Sequence, residues 1–435
     1  MHPKLMFFRP KNFRLQLLQV FLAIIAAMVM AELSLTVIEQ HQSKSVRDYG
    51  NIIGSKKGGM GPGGNLPENL NTYLSDGLGG QVHWITNSQG FRNDREFSIQ
   101  PPPGVLRILS LGDSFTSGFR VGQKETFSSM LEEWINHHYG KCEVLVAQTE
   151  EPATALYYLD RFGVKFHPHL VLLGITLGND IAQTYFSLKP DGGYHLTVAQ
   201  GDVRIERQEG SQKILRLLKE YHIPADYLQP QTPLEQMVSQ LGRWLRKRQL
   251  LCRLFQEEEP ITSSGDRTPP LLFDLNNGLG MYTAPPPPEI AEAFHRLDRI
   301  LEALQIYCNR RGIILAVQLF PQRYQVSPQD WERAVAEYNL KASSFDLMEP
   351  NRKIQTFCRK QNIFLIDPTA AMAAYYARTG TKLYLPRGDM HWNWEGHRVF
   401  FESSRESYGV LAARGFAAVE ARDPWSVSFK KADRQ

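Results

Sequence analysis

The sequence predicts an α/β protein, a three-layer α/β/α sandwich built on a parallel sheet of about five strands. Three observations predict it. Short apolar runs punctuate the chain: VLRILSL (105–111), CEVLVA (142–147), LVLLGI (170–175), IILAVQLF (313–320) and IFLID (363–367). Segments of helical periodicity stand between them. Strands apolar at nearly every position are buried on both faces, which a parallel sheet covered by helices provides. Finally, 435 residues with 42% hydrophobic and 22% charged side chains suffice for a sizeable core in an ordinary globular balance.

The N-terminal element stands outside that alternation. MHPKLMFFRPKNFR carries Lys4, Arg9, Lys11 and Arg14, and from Leu15 to Ile38 the only charge is Glu32. A basic start before an apolar stretch of near-spanning length predicts a membrane anchor over residues 1–40, with the rest of the chain outside. The small residues of Met28-Val29-Met30-Ala31 leave a cleaved signal peptide, and hence secretion, as the alternative. Residues 41–103, with GSKKGGMGPGGNLPENL and QPPPG, read as a flexible linker and lead-in.

The α/β domain starts at 104 and its first half runs to 184. Within it ETFSSMLEEWINHH (125–138) sets Phe127, Met130, Leu131 and Trp134 on one helical side, and TALYYLDRF (154–162) is helix-like. Residues 185–288 break the rhythm and read as an insertion, a lid or a membrane-facing cap. There YHLTVAQGDVRIER is a hairpin turning near Gln200-Gly201-Asp202, while KILRLLKEY and PLEQMVSQLGRWLRKRQLLCRLF read as helices. The basic stretch Arg243–Arg253 is either a solvated helix face or a contact for anionic lipid. The second half, 289–420, holds a long helix at 289–311, another at about 348–361 and a last one starting near Trp394; 421–435 is a tail.

Net charge is +4 and much of it lies in the first fourteen residues, so nothing points to nucleic acid. No internal repeat is present, and protein partners are not readable. Cys142, Cys252, Cys308 and Cys358 show no metal-ligand spacing; disulfides and buried thiols both remain open. No motif suggests a metal, nucleotide or flavin, and no cofactor is expected.

Three polar clusters end predicted strands or open helices: Gly112-Asp113-Ser114, Gly178-Asn179-Asp180, and Asp389-Met390-His391 in RGDMHWNWEGH. In an open parallel sheet, ligands bind beyond the carboxyl ends of the strands. Taken singly, each cluster reads as structure: a turn, a helix cap and a loop hydrogen bond. Together they supply a nucleophile, a base and its orienting acid. A serine hydroxyl needs a base, histidine serves near neutral pH, and a carboxylate sets the histidine tautomer. Asn179 and the Ser114 backbone N–H are candidate oxyanion donors. His397 is a spare base candidate that more simply packs in its helix. Trp392, Trp394 and Tyr384 flank the site as candidates for stacking a sugar ring or for packing the core.

These motifs resemble the SGNH/GDSL hydrolase family. LGDSFTSG is similar to its nucleophile block, ITLGND to the block with the oxyanion asparagine, and DMHWNWEGH to the block with acid and base. NSQGFRNDREF, KETFSSMLEE and the N-terminal anchor are similar to membrane-anchored bacterial members. The resemblance covers about residues 84–184 and 290–410. It implies a flavodoxin-like sandwich, Ser114 as nucleophile, His391 as base, Asp389 as its acid and Asn179 as oxyanion donor. It also implies an ester substrate, a small acyl group on a cell-envelope or secreted glycan, met on the outer face of the bacterial inner membrane. Two features depart from the family. Many members have D-x-x-H; the D-x-H here is similar to SGNH-like O-acetyltransferases of exopolysaccharide pathways. The family's second block carries a glycine whose N–H completes the oxyanion hole, whereas VAQTEEPAT has none, and Glu150 and Glu151 bring charge near it. An esterase is therefore expected, with a polysaccharide O-acetyltransferase or a non-catalytic glycan-binding assembly protein as alternatives.

Overall fold

The structure is a computed structural model that describes Met30 and residues 65–188, 193–208, 278–386 and 389–422. Met30 apart, these belong to one compact unit formed by 49–230 and 261–435. In chain order a hairpin comes first, β1 (Asn71–Ser75) against β2 (Gln81–Ile85). Then follow β3 (Leu106–Gly112), α1 (Ser114–Ser117), α2 (Phe127–His138), β4 (Cys142–Gln148), α3 (Pro152–Arg161), β5 (Leu170–Thr176) and α4 (Asp180–Ser187). A second hairpin joins β6 (Tyr194–Ala199) to β7 (Asp202–Arg207). The chain continues through α5 (Pro288–Arg310), β8 (Ile314–Phe320), α6 (Arg323–Val326), α7 (Pro328–Tyr338), α8 (Glu349–Lys360), β9 (Phe364–Ile366), α9 (Thr369–Thr379) and α10 (Trp394–Arg422).

The five apolar runs form one sheet in the order β4-β3-β5-β8-β9, with every pair parallel. Side chains alternate along each strand, and here both faces are apolar. Leu109, Leu111, Leu145, Val171 and Leu173 pack under residues of α3, α4 and α5. Leu106, Ile108, Val144, Val146 and Leu172 pack under residues of α2, α9 and α10. The result is the three-layer sandwich. From β3 the chain steps to β4 on one side and to β5 on the other. The strand order reverses between β3 and β5, and their carboxyl ends flank the crevice that such a reversal opens.

Several boundaries differ from expectation. Residues 65–103 are not a flexible linker: the first hairpin buries Leu74 and Trp84, and Phe91 and Phe97 enter the core. Alternation in NTYLS and QVHWI is short, and glycines dominate the composition around it. Helix α4 runs past 184, and α10 runs past 420. Within 185–288, the hairpin forms as predicted, with Gln200 and Gly201 both at positive φ, the requirement of a tight two-residue turn. It buries Leu196 and Ile205 in the same core, as do Leu279, Met281 and Tyr282. The helices predicted over 213–221 and 233–255, Cys252, the 421–435 tail beyond Arg422 and the anchor segment other than Met30 lie outside the described residues. Among the described residues no helix is long and apolar enough to cross a membrane. Cys142, Cys308 and Cys358 are buried free thiols.

Two histidines are sealed in this core. His169 Nδ1 accepts from the Arg107 N–H at 3.0 Å, and burial, then the charges of Arg422 and Arg107, lowers its pKa to about 4. His397 lies against Phe127 and Trp392; burial, then the His391 charge, lowers its pKa to about 3. Both folded values lie below an unfolded value of about 6.5. Their contribution to stability is therefore whole above about pH 6.5 and is lost as pH falls toward about 4 and then about 3. Urea denaturation is expected to show a loss from this pair that approaches about 2.7 kcal/mol per pH unit below pH 6.5, one half of it absent in His397→Gln. An unchanged slope in that variant contradicts the assignment.

Candidate active site

The first cluster sits where β3 ends. Gly112 has φ +154°, and a Cβ there would collide with Thr116 Oγ1 and press on Gly174 O, so only glycine fits. Asp113 then caps α1, its Oδ1 accepting from the Phe115 N–H at 3.0 Å. Burial raises the Asp113 pKa, against hydrogen bonds from Thr176, Phe115 and Asn179 and the His391 charge. Its place is under the turn, as expected. Ser114 opens α1, and its N–H meets no acceptor among the described residues.

The last cluster is brought to the same point. Ser114 Oγ lies 2.7 Å from His391 Nε2, and His391 Nδ1 lies 2.6 Å from Asp389 Oδ1. The same oxygen accepts from the His391 backbone N–H at 3.1 Å. With one residue between them, acid and base are thus locked in a side-chain turn. An antiparallel bridge between Tyr384 and Trp392 pinches the loop, and Leu385 N–H donates to His391 O at 2.8 Å. Arg323 holds it from below, donating to Leu385 O at 2.8 Å and Asp389 O at 2.7 Å. Burial alone would raise the Asp389 pKa, but the His391 charge and hydrogen bonds, with Arg120, outweigh it and hold the group at about 2. Asp389 is thus held as a carboxylate, the form that a tautomer-setting partner needs.

Asn179 follows β5 on the other side of the crevice. Its Nδ2 is 3.4 Å from Asp113 Oδ2, so one amide hydrogen is oriented by Asp113 and the second stays available. Segment 148–154 supplies the remaining wall. The Gln148 and Thr149 N–H groups are engaged by Asn65 Oδ1 and Gly112 O. Those of Ala153 and Thr154 donate to the Glu151 carboxylate, which caps α3. The N–H groups of Glu150 and Glu151 meet no acceptor among the described residues. The Glu151 carboxylate is directed into the start of α3 and toward Thr184 Oγ1, and burial raises its pKa.

Of the two readings open for the flanking rings, sugar stacking or core packing, Trp392 and Tyr384 take the second, and the stacking role is withdrawn for both. Trp392 is 0% exposed, wedged among Phe115, Phe320 and Phe400. Tyr384 is buried, its OH donating to Pro321 O at 2.7 Å. Neither offers a face to a sugar, because the bridge that presents His391 tucks both into the core. Trp392→Ala is expected to cost about 3–5 kcal/mol of stability, read by denaturant unfolding, as buried aromatic truncations do. Trp394 is 49% exposed at the start of α10. His397 packs in the core, as the simpler expectation had it. Arg120, Arg323 and Phe119, whose ring meets His391 edge-on at 4.7 Å, were not read from the sequence. The signal was slight: a lone arginine two residues after Gly118, and another after Phe320. Among the described residues no group of three or more His, Cys, Asp or Glu side chains can hold a metal ion.

No protein-family model matches the chain, and no curated protein does. Among solved structures it is similar to the acetyl xylan esterase AlAXEase, at 10% identity over 69% of this chain and 99% of that one, with a TM-score of 0.36. It is similar to a variant of Axe2, an acetyl xylan esterase from Geobacillus stearothermophilus, at 11% identity over 70% and 94%, with a TM-score of 0.36. It is also similar to TesA, at 8% identity over 69% and 97%, with a TM-score of 0.32. Similarity at this level is too slight to bear on activity, which rests on the site itself.

Proposed function

We propose that the chain is a serine esterase of the SGNH/GDSL type, acting by two-step acyl transfer. The observation that carries this reading is the unbroken relay Ser114 Oγ–His391 Nε2–His391 Nδ1–Asp389 Oδ1, at 2.7 and 2.6 Å. In this mechanism Ser114 Oγ attacks the ester carbonyl while His391 Nε2 takes its proton. The Ser114 N–H and Asn179 Nδ2 donate to the oxyanion, and the N–H of Glu150 or Glu151, neither meeting an acceptor among the described residues, takes the part of the family's second-block glycine. As the carbon–oxygen bond to the leaving alcohol breaks, His391 returns the proton to that oxygen. Water, deprotonated by His391, then attacks the acyl carbonyl, the bond to Ser114 Oγ breaks, and His391 returns the proton to that oxygen. The natural ester in this reading is a small acyl group on a cell-envelope or secreted glycan, met outside the cell membrane to which residues 1–40 anchor the chain.

An alkyl fluorophosphonate is expected to leave one adduct on the folded full chain, found by mass spectrometry on Ser114, and none on Ser114→Ala. A folded chain that stays unlabelled at Ser114 sinks the proposal. Acetylated glycan then separates the variants of the activity. Acetate released to water marks a hydrolase, and acetyl appearing on a second sugar hydroxyl marks an O-acetyltransferase. Binding that survives Ser114→Ala, with neither product, marks an assembly protein.

A further inference from the structure

Asp389 spends one carboxylate oxygen on His391, and its other oxygen faces Arg120. Arg120 Nε lies 3.0 Å from Asp389 Oδ2 as an ion pair, its N–H not aligned for a hydrogen bond, with both side chains largely buried. The backbone at Arg120 is left-handed, with φ 67°. For a non-glycine residue that conformation costs about 1–2 kcal/mol and is kept where the surroundings demand it. What it achieves here is to fold the side chain back over its neighbour. The guanidinium stands 5.0 Å over the Phe119 ring, and that ring meets His391 edge-on at 4.7 Å. The far end of the guanidinium reaches the first hairpin, where Arg120 Nη1 donates to Ser75 O at 3.4 Å. Arg323, by contrast, holds only the main chain of Asp389.

Building on the esterase reading, we propose that Arg120 is a positioning residue for acyl transfer. Braced on the β1–β2 hairpin, it fixes the free oxygen of Asp389, and so keeps the other oxygen on His391 Nδ1. The first hairpin thereby supports the site through Ser75 O. Oδ1 is already held by His391 Nδ1 and the His391 N–H; Arg120 adds the restraint on Oδ2, the second point that keeps the carboxylate from tilting about that hinge. Outer partners of metal-bound histidines typically carry a factor of about 10–100 in affinity or activity, and an effect of the same order is expected here.

The test uses the full chain with two readouts. The first is the downfield proton NMR signal of His391 Nδ1–H, assigned by its loss in His391→Gln, which needs no substrate. The second is p-nitrophenyl acetate turnover. In Arg120→Met the proton is expected to lose its protection from solvent exchange. The kcat is expected to fall about 10–100-fold with KM within about twofold. Arg120→Lys is expected to restore most of both. In an Asp389→Asn background, Arg120→Met is expected to cost nothing further, since its effect passes through that carboxylate. Should Arg120→Met fail to fold, Arg120→Gln carries the same measurements. A protected proton and wild-type kcat without Arg120 overturn the proposal, and so does an equal loss in the lysine and methionine variants. A wild-type chain no faster than Ser114→Ala removes the esterase instead, while the proton signal still decides the role of Arg120.

Discussion

Ser114→Ala is expected to lower kcat for p-nitrophenyl acetate by about 10⁴–10⁶-fold, and His391→Ala by as much. The double variant is expected to be no slower than either single one. The reason lies in the relay: a hydroxyl without its base is a weak nucleophile, and a base without the hydroxyl has no proton to take. Two groups joined at 2.7 Å in one proton transfer act as a unit, so their losses do not multiply. Asp389→Asn is expected to cost about 10⁴-fold, because an amide presents the wrong partner to His391 Nδ1. Asn179→Ala is expected to cost less, about 10²–10³-fold in kcat, the usual share of one oxyanion donor. KM should scarcely move, since that donor meets charge formed only in the transition state. Steady-state kinetics on the four variants measure the pattern. Single losses that multiply in the double variant, or an Asn179 loss confined to KM, contradict the assigned roles.

The sheet was legible because each strand is apolar at nearly every position, which leaves parallel burial as the only economical arrangement. The candidate triad was legible because its parts sit at strand ends, where topology rather than chain distance brings residues together; Ser114 and His391 are 277 positions apart. What escaped was whatever depends on packing direction. Trp392 and Tyr384 flank His391 in sequence, yet the bridge between them turns both inward. Arg120 meets Asp389 from a left-handed backbone, which its own side chain gives no reason to expect. The first hairpin was hidden by glycines around it, and it is packed by tertiary contacts that no local pattern announces: Leu74 and Trp84 against Leu66 and Phe119, with Arg92 over the Trp84 ring at 4.0 Å.

Arg107→Met is expected to be among the most destabilising substitutions in the domain, costing about 3–5 kcal/mol in denaturant unfolding. The residue interrupts the apolar run of β3, and its side chain is 0% exposed. Nothing in a period-two reading accommodates it. Its guanidinium resolves the conflict by donating in every direction. It reaches Glu143 Oε2 at 2.6 and 3.0 Å, Ser98 O at 2.7 Å and Ile99 O at 3.0 Å, and Phe166 O at 2.9 Å. These acceptors belong to the lead-in to β3, to β4 and to the turn before β5, so one side chain clamps three segments at the amino end of the sheet. Methionine keeps the stem's packing but leaves the carbonyls and the Glu143 carboxylate without their donor, and unmet buried acceptors carry most of the cost. The pair Arg107→Met with Glu143→Leu is therefore expected to be less destabilised than the sum of the two singles, because the double change removes the stranded charge along with its partner. Because Arg107 lies near the opposite end of β3 from Ser114, kcat per folded molecule is expected to stay at the wild-type value. A stability loss below about 1 kcal/mol, the usual size of a surface ion pair, would mean that water replaces the guanidinium and that the clamp does not hold the lead-in to the sheet.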